Sequence, residues 1–184
     1  GTNAQRIIDH FKGSGLAQIR LIVCNKPEAG VLQIAARESI PSLVIGKQQF
    51  FHSDEFIRLL QSLPADLIVL AGFLWKIPDP LVRAFPRRII IIHPALLPLH
   101  GGKGMYGHHV HEAVIAAGEK QSGITIHLVT SRYDEDRVLF QAKCPLLPTD
   151  DAAALAQRVH ALEHAHFPAV VEAQAELLRQ ADLS

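Results

Sequence analysis

The stretch Ile89-Ile90-Ile91-Ile92-His93-Pro94-Ala95-Leu96-Leu97-Pro98 decides how the fold is read. A run of four β-branched residues suits a strand buried inside a layered sheet. The run stops abruptly at a histidine and then a proline. In an open α/β sheet, ligands bind outside the carboxyl ends of the strands. His93 therefore stands where an imidazole that titrates near neutral pH can move protons. A histidine can also simply end a strand, so the rest of the pattern has to carry the argument.

Working outward, strands and helices alternate, which predicts βαβ units and a largely parallel sheet. Before the stretch, the spacing predicts helices over 4–12, 30–38 and 53–63, the last capped by Ser53. It predicts strands over 19–24, 42–45 and 66–71, a short helix opened by Asp79-Pro80, and the strand 88–92. After it, the glycine-rich segment 101–107 leads into a helix over 109–117. Two adjacent strands follow, 123–129 and 138–144, then a helical tail from Asp150 in which Pro168 marks a break or kink. One domain over 1–184 is expected, of the α/β, doubly wound, mostly parallel class. Its first strand is expected to be missing, because helix-like residues follow Gly1-Thr2-Asn3 at once.

The bulk properties narrow the function. The 184 residues hold 48% hydrophobic and 20% charged side chains, a soluble globular balance rather than a disordered one. Lys+Arg and Asp+Glu are both 18, so no net charge draws the chain to nucleic acid or to a membrane surface. Cys24 and Cys144 lack metal-ligand spacing and read as reduced core thiols of a cytoplasmic protein.

Four places can carry chemistry. Gly1-Thr2-Asn3 opens a helix, and free backbone N–H groups at a helix N-terminus bind phosphate. His93-Pro94 ends the central strand. His108, His109 and His111 form a cluster that could hold metal, but the zinc spacings in common use are not evident there, and a polar cleft lining is the better reading. Thr125 and His127 share a face of one strand, and Asp134 follows on the next loop, where a carboxylate could orient an imidazole.

Together these pieces resemble the folate-dependent phosphoribosylglycinamide formyltransferase family. The resemblance rests on His93-Pro94-Ala95-Leu96-Leu97-Pro98, the glycine-rich segment, His109-x-His111, Gly123-Ile124-Thr125-Ile126-His127, Asp134 and Phe140-Gln141-Ala142-Lys143. Leu70-Ala71-Gly72-Phe73, Glu163-His164-Ala165 and Gly1-Thr2-Asn3 match as well, in order along nearly the whole chain. It implies a formyltransferase-like Rossmann variant that moves a formyl group from 10-formyltetrahydrofolate to the amine of glycinamide ribonucleotide, with no metal, as a monomer or homodimer. Gly1, Thr2 and Asn3 would hold the substrate phosphate, Glu163 the ribose, with Pro94 on the substrate side. Phe73, Leu74, Ile77, Val82 and Ile89 would line the pterin pocket, with backbone around Asp134. His93 and Asp134 would be catalytic, His93 held as a cation.

Two departures from the family pattern stand out. Ile91 occupies the position of an asparagine that donates to the formyl oxygen, and an isoleucine has no donor; removing one such donor costs about a hundred- to a thousandfold in rate. The usually glycine-rich loop after Asp134 is Glu135-Asp136-Arg137. Two alternatives follow: a formyltetrahydrofolate hydrolase, or an inactive module that binds folate or a phosphorylated ribose.

Overall fold

The computed structural model describes residues 1–131 and 137–184. Seven helices and six strands alternate among them. The strands form two sheets: β1 (Ile22–Cys24) pairs with β2 (Ser42–Val44), and β3 (Ile68–Leu70), β4 (Ile89–His93), β5 (Gln121–Leu128) and β6 (Arg137–Pro145) form a second sheet in that order. β1 and β2 run parallel, as do β3 and β4. β5 and β6 are added antiparallel at the far edge.

β4 shows why the isoleucine run makes a layered structure. Successive side chains point to opposite faces. Ile90 and Ile92 enter one core with Ile7 and Phe11 of α1 (Thr2–Phe11), Val110 and Val114 of α6 (His108–Ala116), and Phe167 of α7 (Ala152–Leu183). Ile89 and Ile91 enter the other, with Leu60 of α4 (Glu55–Ser62) and Leu81 of α5 (Asp79–Ala84). Helices thus cover both faces, the doubly wound arrangement expected. A smaller cluster joins Ile8, Ile22 and Ala35, the last on α2 (Gly30–Arg37).

Several boundaries moved. α1 begins at Thr2 rather than Ala4, with Gly1 as its N-cap. α4 is capped at Asp54; Ser53 instead accepts from the Glu55 N–H, a local turn that competes with the cap. α5 has Pro78 as its N-cap, so Asp79 is already helical. A short helix, α3 (Lys47–Phe51), was not foreseen: its five residues are too few to show a helical period. Pro168 does not break α7, which is assigned continuously across 32 residues with Pro168 buried within it. Its neighbours Phe167 and Val171 are anchored in the core, and that packing holds the helix across the missing donor.

Among the described residues no strand pairs with the inner edges of β1 and β3, and a cleft of about 2130 Å³ runs between them. Ile22 and Val23 of β1 and Ile68 and Val69 of β3 both line it. Among the described residues, no helix is long and apolar enough to cross a membrane. Cys24 and Cys144 are free and buried.

Candidate active site

The same cleft collects most of the residues singled out in the sequence. Gly1, Thr2 and Asn3 line it at one end, with Glu163 beside them. Ile91, His93 and Pro94 line its floor, and Phe73, Leu74 and Ile77 its other wall. Two expected pocket residues do not reach it. Ile89 has no exposure and Val82 is buried in the core behind the wall. Ile89 is four residues back along β4, about 13 Å from the ligand end of the strand. Val82 lies on the inward side of α5. Asp134 and most of the loop Glu135-Asp136-Arg137 lie outside the described residues, as does any convergence of Asp134 with His93.

β4 places His93 at the end of a strand hydrogen-bonded on both sides, opposite Thr125 of β5, with Ile91 opposite His127. The loop that follows is pinned by Thr125, which is fully buried. Its hydroxyl donates to the Ala95 carbonyl at 2.7 Å and accepts from the Leu97 N–H at 3.0 Å. Gln141 on β6 donates to the Thr125 hydroxyl and to the Leu97 carbonyl. The strand spacing Thr125-x-His127 therefore does place two polar groups on one face, but Thr125 is a scaffold for the loop.

The His93 Nε2 lies 2.9 Å from the His100 carbonyl oxygen. A carbonyl only accepts, so Nε2 carries the proton and Nδ1 is the lone-pair nitrogen of the neutral ring. Burial pushes the His93 pKa below its usual 6.5; the His100 carbonyl opposes the shift and His127 adds to it. These surroundings favour the neutral imidazole; Asp134, which the resemblance implies would hold His93 as a cation, lies outside the described residues. His100, whose own ring meets Glu119 at 3.1 Å, was missed. It acts through its backbone carbonyl, which leaves no mark in a sequence.

At the other end, Gly1 packs against α2 so closely that a Cβ there would meet Ile34 Cδ1 at 3.1 Å. α1 has no side-chain cap and no acidic residue in its first turn. Its leading N–H groups therefore remain available to an anion. The Asn3 amide donates to Glu163 at 2.9 Å, while Asn3 Oδ1 is buried with no partner among the described residues. Glu163 is buried and also meets His160 Nδ1 at 3.1 Å; His164 meets the Thr2 hydroxyl at the same distance. His111 is buried beside this group, its Nδ1 likewise unpartnered, and burial pushes its pKa down.

The apolar wall contains more than the sequence suggested. Phe50, Phe73 and Trp75 pack within 5.3–5.7 Å of one another, ring centre to ring centre, and all three line the cleft. Phe50 and Trp75 stand outside any strand, where no periodicity flags them. The cleft thus offers a polar, anion-receptive end, an aromatic end, and the His93 imidazole at the end of β4.

Known proteins share this arrangement of sequence. A family model described as formyl transferase matches residues 1–171. The chain is 41% identical over 182 residues to a chloroplastic phosphoribosylglycinamide formyltransferase of Arabidopsis thaliana, covering 96% of this chain and 62% of that protein. It is 43% identical over 169 residues to the same-named protein of Vigna unguiculata, covering 90% and 54%. The chain therefore spans roughly half to three-fifths of the length of these relatives. A crystal structure of phosphoribosylglycinamide formyltransferase from Anaplasma phagocytophilum superposes with a TM-score of 0.86 at 31% identity, over 96% of this chain and 82% of that one.

Proposed function

Since the chain belongs to the formyl transferase family, we propose that it transfers a formyl group from 10-formyltetrahydrofolate to the amine of glycinamide ribonucleotide in purine biosynthesis. The observation that carries the reading is the single cleft that joins the Gly1–Asn3 helix start to His93 and the aromatic wall. The names of the relatives agree with it.

In this reading the substrate phosphate takes the free N–H groups of α1, and Glu163 takes the ribose hydroxyls. Phe73, Leu74 and Ile77, together with Trp75, take the flat face of the pterin. The amine attacks the formyl carbon, forming a C–N bond and a tetrahedral oxyanion. Collapse breaks the bond from that carbon to the folate nitrogen, and one proton must pass from the incoming amine to the leaving nitrogen. Neutral His93, donating Nε2–H to the His100 carbonyl, offers Nδ1 to carry that proton. Asp134 would assist from the following loop. No metal enters the scheme.

A second reading, an inactive binder, is favoured by Ile91. This residue lines the cleft two positions from His93 and has no donor for the oxyanion. Incubation with 10-formyltetrahydrofolate, with and without glycinamide ribonucleotide, separates the possibilities. Folate release that needs the amine is the expected result. Equal release without it indicates a hydrolase, and binding of both ligands without release indicates the inactive module. Glycinamide ribonucleotide should also bind more tightly than its dephosphorylated form; equal affinities would remove the phosphate role of Gly1–Asn3.

A further inference from the structure

We propose that His108, His109 and Glu112, in the opening turns of α6, form a binding site for a zinc-class dication at the rim of the cleft. The helix sets the spacing. At about 100° per residue, Glu112 projects at an angle between His108 and His109, one turn further along. Its carboxylate reaches both rings, with Oε1 at 3.8 Å from His108 Nε2 and Oε2 at 3.6 Å from His109 Nδ1. One ligand atom from each of the three lies within 4.8 Å of the others. Bonds of about 2.0–2.1 Å in a tetrahedron hold ligand atoms about 3.3–3.5 Å apart. Small side-chain rotations close that difference, and all three side chains are more than half exposed and able to make them.

The surroundings favour a particular class of ion. Two imidazoles with one carboxylate select zinc, copper or nickel over magnesium or calcium, which require oxygen ligands. The positive end of α6 opposes any cation, and the Glu112 carboxylate offsets it. Tyr106 packs at right angles to the His109 ring, with ring centres 5.5 Å apart. Three protein ligands leave a fourth position for water or for a ligand atom. His108 lines the cleft while His109 and Glu112 do not, so the ion sits at the mouth, apart from His93. The spacing of the histidines alone does not reveal the site; Glu112, one turn after His108, completes the cluster.

The test uses the tag-free chain, stripped with chelator, titrated with zinc chloride by calorimetry and with cobalt(II) by visible absorption. One equivalent is expected to bind with a tetrahedral-type cobalt band. Glu112→Gln and His109→Ala should each weaken binding at least tenfold, and the double variant His108→Ala/His109→Ala should abolish the band. His52→Ala, an exposed histidine away from the cluster, should leave both signals unchanged. Binding should weaken as pH falls from 7 to 5.5, because protons compete for the imidazoles. Absence of stoichiometric binding overturns the site. So does binding that the double variant leaves intact, since the ion would then rest on other histidines.

Discussion

β4 is hydrogen-bonded to β3 on one side and β5 on the other, whereas β1 has β2 on one edge and the cleft on the other. The first region is closely paired: β5 is buried from Ser122 to Leu128 and pairs along its length with β6, with one register shift between Ile126 and His127. In the second, each strand has three residues, and Val44 is 40% exposed. The reacting position, His93, belongs to the closed region, and the anion-receptive start of α1 stands beside the open one. A catalytic geometry tolerates errors of well under an ångström, while a charged phosphate can be held by a looser ring of donors. The expected division is that substitutions on β4 act on kcat and substitutions at Gly1–Asn3 act on KM.

The largest expected effect tests that division directly. His93→Asn removes the proton carrier at the end of β4 and should lower kcat by about 10²–10⁴-fold. Melting temperature and folate affinity should change little. Asn3→Ala should raise KM for glycinamide ribonucleotide with kcat nearly kept, because it disturbs Glu163 and not the reacting centre. Steady-state kinetics on both variants decides; a His93→Asn enzyme that loses mainly KM would break the comparison.

Next comes a gain. Ile91→Asn places an amide donor on the same face as His93 and should raise kcat by about a hundredfold if oxyanion stabilisation is limiting. The new amide enters an apolar neighbourhood that includes Ile89 and Val129. Left unpaired without substrate, it should cost about 1–3 kcal/mol of stability. Higher turnover with a lower melting temperature is the expected signature. Unchanged turnover in a folded variant that binds both ligands would move the limitation elsewhere.

A third test compares the two sheets by packing. A Cβ at Gly123 on β5 would run into the backbone carbonyl of Ala142 on β6 and into Leu96. Backbone cannot swing aside, so Gly123→Ala should destabilise by about 1–3 kcal/mol or more. Gly46, which follows β2, has open space around its Cβ position, and Gly46→Ala should be nearly neutral. Denaturant melts of the two variants sharpen the contrast, and equal losses would erase it.

The sequence showed the part of this molecule that depends on pattern. The isoleucine run announced β4, and its alternation correctly put Ile91 and His93 on one face. The residues 1–3, 93–94 and 163, far apart in the chain, were linked by resemblance and line one cleft. What it could not show depends on three-dimensional closure. The His100 carbonyl that fixes the His93 tautomer is backbone. The Phe50 and Trp75 wall has no period. Ile89 entered as a pocket residue by resemblance, and its full burial in the core behind the cleft is another feature that only the fold reveals. The downward pull of burial on the His93 pKa is likewise invisible in a sequence, because burial is a property of the folded surroundings.

The smallest expected effect concerns that burial. His93 and His111 both have pKa values pushed below 6.5, desolvation being the largest cause in each. The unfolded chain keeps them near 6.5, so below that pH it binds more protons than the folded chain does. Stability should therefore be flat above about pH 6.5 and fall as pH drops from there towards the folded values. One linked proton contributes a slope of at most about 1.4 kcal/mol per pH unit. His111→Asn removes one titrating group without touching β4, so its melting curves between pH 7.5 and 5.5 should show a shallower decline than the parent. The same acid limb should appear in activity, since protonating Nδ1 of His93 removes its lone pair, and His111→Asn should leave that limb in place. A variant whose stability falls as steeply as the parent's would mean that His111 is not held neutral by its surroundings. A variant that lost the activity limb would assign the titration to the polar end of the cleft instead of to β4.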